Sequence, residues 1–169
     1  MAPVVASTVP AASALRSWLA DADFHDAWEA PLRDPALSPT EIFLRAAGAA
    51  PAWVGLAMAL RNRVVRLFGL KDVGSMRRAG GRPAAAFRPG DRLGIFTIIS
   101  SDADELVLGI DDSHLDVRVS VSKPTGAPAT SYVVATAVRV HNILGRAYMV
   151  PVSRAHPLVV RAMMRRAQV

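Results

Sequence analysis

The stretch "HLDVRVSV", His114 to Val121, alternates polar and apolar residues without a break. His114, Asp116, Arg118 and Ser120 therefore point to one side of an extended chain, and Leu115, Val117, Val119 and Val121 to the other. A sustained period of two predicts a half-buried strand of an antiparallel sheet, with the apolar row facing the core and the row beginning at His114 facing water. The flanking sequence has the same β character. "LGIFTIIS" (Leu93 to Ser100), "ELVLGIDD" (Glu105 to Asp112), "TSYVVATAVRVHN" (Thr130 to Asn142) and "RAYMVPV" (Arg146 to Val152) are rich in β-branched and aromatic residues. Short polar or Gly/Pro links such as "SDAD" and "PTGAPA" separate them, which predicts hairpins in sequence order.

Upstream of this block the character is helical. "SPTE", Ser38 to Glu41, places Ser at the N-cap, Pro at the first helical position and Glu at the third, which predicts a helix over about Pro39 to Ala47. Pro51 can open a second helix, in which Trp53, Leu56, Leu60, Val64 and Leu67 recur at three- and four-residue spacing. Gly69 to Asp91 is rich in Gly, Pro and Arg and reads as a long connection. Before the helices, a short strand is expected near Phe24 to Ala30, and residues 1–20 read as a loose tail ahead of a single domain over residues 21–169. At the other end, "SRAHPLVVRAMMRRAQ" (Ser153 to Gln168) reads as a C-terminal helix with a broad apolar side. His156 precedes Pro157, where helical angles are disfavoured, and so is expected to cap or enter that helix.

The composition excludes several classes of function. A chain of 169 residues fits one domain that buries roughly two-thirds of its unfolded surface. The absence of cysteine removes disulfides, thiolate metal sites and cysteine nucleophiles together, and favours a cytoplasmic location. The longest uncharged run, Ala46 to Leu60, is interrupted by Gly48, Pro51 and Gly55 and is shorter than the roughly 20 residues of a membrane span. The first Arg, Arg16, follows the apolar N-terminal residues, the reverse of a secretory leader. A net charge of +6 and nine basic residues between Arg61 and Arg92 raise the question of nucleic acid. Scarce aromatic residues argue against it, since single-strand binding relies on stacking platforms.

Strand, two helices, a run of antiparallel strands and a final apolar helix together predict an α+β fold, with a curved sheet of about six to seven strands around a long C-terminal helix. This is the element order of the helix-grip, or START-like, fold of the SRPBCC superfamily. In that fold the space between sheet and helix can take a small apolar molecule. The stretches "RNRVVRLFGLK", "RLGIFTIIS", "LGIDDSHLDVRVSV" and "VRVHNILGRAYMVPVSRAHPLVVRAMMRRA" resemble an uncharacterised bacterial domain family of unknown function. Its members stand alone or are fused to NAD(P)-binding short-chain-dehydrogenase-like domains. The resemblance runs from about Phe24 to Ala167 and implies the domain and its START-like fold. It also implies that a redox protein is a possible partner, alongside a homodimer. No Gly-rich phosphate-binding turn occurs in this chain, and no cofactor is expected.

The candidate ligand-binding residues fall in two groups. His141, Asn142, Arg146 and Tyr148 gather around an expected turn at Gly145, where His141 and Tyr148 offer hydrogen bonds and Arg146 a partner for a carboxylate. His114 and Asp116 lie at the start of the alternating strand and read as part of a wet sheet face with cross-strand pairs, while Asp111, Asp112 and His114, clustered where the strand begins, read as the polar rim of a pocket. Acid–base catalysis is open through His141 with Tyr148 or His114 with Asp116. The four histidines lack close metal-ligand spacing, so no metal is expected. None of Ser120, Ser122, Ser131 and Ser153 sits in a Gly-x-Ser-x-Gly turn.

Overall fold

The structure, a computed structural model, describes residues 3–56, 59, 82–124, 130–167 and 169. It is α+β. Seven strands form one open antiparallel sheet: β1 (Val5–Ala6), β2 (Phe24–Pro31), β3 (Arg92–Leu93), β4 (Phe96–Ser101), β5 (Glu105–Asp111), β6 (Leu115–Ser122) and β7 (Ser131–Val140). Their order across the sheet is β1-β2-β7-β6-β5-β4-β3. The four strands β4 to β7 follow one another as hairpin neighbours, and β2 closes on β7 with Phe24 opposite Val138.

Helix α2 (Pro39–Gly48) begins as its sequence dictates. The Ser38 hydroxyl accepts the Glu41 N–H, and the Glu41 carboxylate accepts the Ser38 N–H in return. Donation from the Ser38 N–H foremost, and from the Ser38 hydroxyl at 2.7 Å, holds the Glu41 carboxyl below its ordinary range. Residues 52–56 are helical, but the remainder of the expected second helix, most of the Gly69–Asp91 connection and most of the basic segment Arg61–Arg92 lie outside the described residues.

Two expectations are overturned. The first concerns residues 1–20. Residues 4–19 are not a loose tail: Val5 and Ala6 pair with Glu29 and Trp28 as an edge strand, and Arg16–Leu19 form a short helix, α1. Val9 and Leu15 are buried against Ala27, Val133, Ala135 and Ala137, on the sheet face where water was expected. Burying each such side chain contributes about 1.5–3 kcal/mol, which offsets the ordering of a segment this short.

The second concerns "RAYMVPV", which is helix rather than strand. The final helix, α3, spans Ile143–Arg166 and carries Pro151 and Pro157 in its interior. Asn142 is its N-cap, the side-chain oxygen accepting the Gly145 N–H at 3.0 Å. His156 therefore sits in mid-helix and does not cap it. Both prolines violate the local helix rules, each removing a backbone hydrogen bond, and contacts with the sheet override that local preference.

Only Gly145 and Met164 of α3 are fully buried. The helix is pinned at its start, where Gly145 meets the sheet, and at its end, where Met164, Ala167 and Val169 join the main core. Between these points a gap remains under the helix, bridged by His156, whose ring meets Phe24 edge-on with ring centroids 5.8 Å apart. No helix among the described residues is long and apolar enough to cross a membrane.

Candidate functional site

The gap under the middle of α3 is a partly open cavity of about 280 Å³ among the described residues. The sheet contributes Phe24, Leu115, Val117, Val119 and Val138, and α3 contributes Tyr148, Met149, Val152, His156 and Val159. Ile95, Phe96 and Ile110 extend the apolar wall, while Asp112, His114 and Thr136 interrupt it with polar atoms.

The position of His114 follows from the helix start. The Asp112-Ser113-His114 turn is clamped from α3: the His141 N–H donates to the His114 carbonyl at 3.0 Å, and Asn142 Nδ2 donates to the Ser113 carbonyl at 3.1 Å. Gly145 allows this approach, because a Cβ there would lie 2.2 Å from the His114 carbonyl oxygen. The clamp takes His114 out of the polar row of β6 and turns its ring to the cavity, where the residue is 1% exposed. Its Nδ1 lies 3.4 Å from Asp112 Oδ2, yet neither ring nitrogen makes a well-formed hydrogen bond. The Tyr148 ring meets it edge-on, with ring centroids 5.8 Å apart.

Two turns further along α3, His156 Nε2 shares a hydrogen bond with Thr136 Oγ1 at 3.1 Å and lies 3.4 Å from Asp26 Oδ1. Asp26 also accepts the Trp28 indole N–H at 3.0 Å. A second polar station thus borders the cavity, already satisfied within the protein.

The sequence-derived candidates separate into two places. His114 and Tyr148 come together at the cavity. His141 and Asp116 meet each other, Nε2 to Oδ2 at 3.0 Å, on the opposite face of the sheet. Asn142 is the helix cap, and Arg146 is exposed and does not line the cavity. The carboxylate beside His114 is that of Asp112, while Asp116 is the partner of His141.

The residue pattern does not reveal His156 and Thr136 as site residues, the first because Pro157 reads as a helix boundary, whereas Asp112 lines the cavity beside His114. The spacing of Tyr148, Val152, Ala155, His156 and Val159 along one helical face was the signal that could have found them. The rest of the polar row is also covered. Ser120 is fully buried and donates to Glu105, which accepts as well from the Ser13 hydroxyl and from the Ala14 N–H at 2.9 Å. Arg118 and Arg139 stack on the Trp18 ring at 4.2 and 3.9 Å. Among the described residues no group of three or more His, Asp or Glu side chains could hold a metal ion.

An open antiparallel sheet and a long C-terminal helix with a largely apolar cavity between them define an α+β domain. The chain belongs to the family described as Protein of unknown function (DUF2867), whose model matches residues 18–163. A search of the curated proteins finds no significant match, and neither does a search of the solved structures.

Proposed function

We propose that this protein is a binding domain of the helix-grip type, holding a small, mostly apolar molecule between its sheet and C-terminal helix. The observation that carries the reading is the cavity of about 280 Å³, bounded on the sheet side by Phe24, Leu115, Val117 and Val138 and on the helix side by Met149, Val152 and Val159. Its size sits at the lower edge of ligand pockets, so the occupant is smaller than a drug-sized molecule. The sheet order, with the C-terminal helix laid across β2 and β7, supports kinship with START-like folds.

The test is native mass spectrometry of gently purified protein, followed by organic extraction. A discrete mass shift is expected in wild type and not in Val152→Trp, whose indole fills the cavity. Unliganded protein in both, together with no binding of apolar probes, overturns the reading.

A second reading is favoured by the Asp112–His114 pair at the cavity wall: an enzyme that moves a proton on a carbonyl substrate, with His114 as the base. Exchange of ketone α-protons for deuterium, catalysed by wild type and lost in His114→Gln, supports it. Equal exchange by both proteins removes it.

A further inference from the structure

The charges around the cavity restrict what can enter it. Among the described residues no lysine or arginine lines it, while Asp112 does. Three arginines of the sheet and helix are engaged elsewhere: Arg118 and Arg139 on Trp18 across the sheet, and Arg161 over the Trp28 ring. Each cavity histidine has a carboxylate of its own at 3.4 Å, Asp112 for His114 and Asp26 for His156, so any charge on either ring is answered within the protein. An anionic head would thus meet no counter-charge among the described lining residues and would lie beside a carboxylate, an arrangement of unfavourable free energy. A cationic head would have Asp112 alone. That carboxylate already accepts the Ser113 N–H at 2.6 Å and the Ser113 hydroxyl through Oδ1, with Oδ2 turned to His114.

Hydrogen bonding restricts it further. At the His156 end the ring nitrogen is satisfied by Thr136. At the other end His114 is buried, lines the cavity and has no hydrogen bond at either nitrogen. A buried polar group without a partner destabilises the fold, and a ligand atom that completes its bond recovers that loss. Tyr148 and His156 are about 12 Å apart along the helix axis, which makes the space elongated, with one unsatisfied polar end.

Resting on the binding reading above, we infer that the ligand is an uncharged, elongated apolar molecule on the order of ten to fifteen non-hydrogen atoms. One oxygen, a hydroxyl or carbonyl, meets His114, and the apolar body runs under Val152 toward Val159. Fatty-acid carboxylates, phosphoesters and amines of the same length are expected to bind more weakly.

Titration calorimetry with 1-decanol, 2-decanone, decanoate and decylammonium tests this at one pH and one salt concentration. Wild type is expected to bind decanol or decanone at least tenfold more tightly than either charged analogue. His114→Leu is expected to lose that neutral-ligand affinity by about tenfold, and His114→Gln, which keeps a hydrogen-bonding group, to retain most of it. Thermal unfolding of each variant checks that the fold persists. Decanoate or decylammonium binding as tightly as decanol, and abolished by Val152→Trp, overturns the inference and leaves the binding reading standing. Undiminished decanol binding by a folded His114→Leu overturns the role of His114. Absence of binding by all four probes, with nothing extracted from the purified protein, overturns both readings.

Discussion

The face of the sheet turned to residues 4–19 is paved with small side chains, Ala27, Ala135 and Ala137, and the N-terminal segment settles directly on it through Val9 and Leu15. The face turned to α3 presents Phe24, Val117, Val119 and Val138 under a helix anchored at its two ends, and there a cavity remains. Small side chains on one face let the N-terminal segment settle against the strands. A long helix is stiff and touches the other face only where a glycine or a long side chain allows. One sheet thus has a sealed side and a side with room for a guest.

The largest effect that breaks this comparison is expected at the helix anchor. Gly145→Ala forces a methyl group into the His114 carbonyl, which is backbone and cannot swing away. A loss upwards of about 3 kcal/mol, at the top of the range for overpacking, should appear in urea unfolding, with displacement of the His114 turn visible by NMR. Next comes a like-for-like truncation on the two faces. Val133→Ala on the sealed face opens a new void and is expected to cost about 2 kcal/mol. Val117→Ala enlarges space that already exists, and about 1 kcal/mol is expected. Equal losses would mean that the two faces are packed alike.

The smallest effect is a pH dependence on the helix side. Tyr132 is fully buried in the main core with no partner for its hydroxyl, and burial pushes its phenol up from 10 to about 12. The folded state holds this proton more tightly than the unfolded chain. Its contribution is therefore complete below pH 10 and is lost as pH rises through about 12. Unfolding measured at pH 8 and pH 11 should show a fall about 1 kcal/mol larger in wild type than in Tyr132→Phe. An identical fall in the two proteins would place the titration elsewhere.

The largest of these effects falls where the residue pattern misleads. The strands were legible because period-two alternation survives in β6 and β7, and α2 was legible because its cap is local chemistry between Ser38 and Glu41. The start of α3 was not. Gly145 reads as a turn residue and Pro151 and Pro157 as breaks, yet Gly145 is there for close approach to His114, and the prolines are tolerated within the packed helix. The polar row of β6 reads as wet because alternation shows that two faces differ and not what lies on the second. Here that is Ser13, Leu15 and Trp18, about a hundred residues earlier in the chain. His114 and Tyr148 were recognisable as candidates by residue type; their meeting, and the dispatch of His141 and Asp116 to the far face, were not.

By itself, then, the sequence determined the class of fold, an antiparallel sheet followed by an apolar C-terminal helix, because side-chain periodicity and capping act over a few residues. Only the tertiary structure decided which face is sealed, where α3 begins and which polar groups meet at the cavity. Those outcomes rest on contacts between residues distant in the chain, such as Gly145 against His114 and Leu15 against Ala135, and local propensity yields to them whenever enough surface is buried.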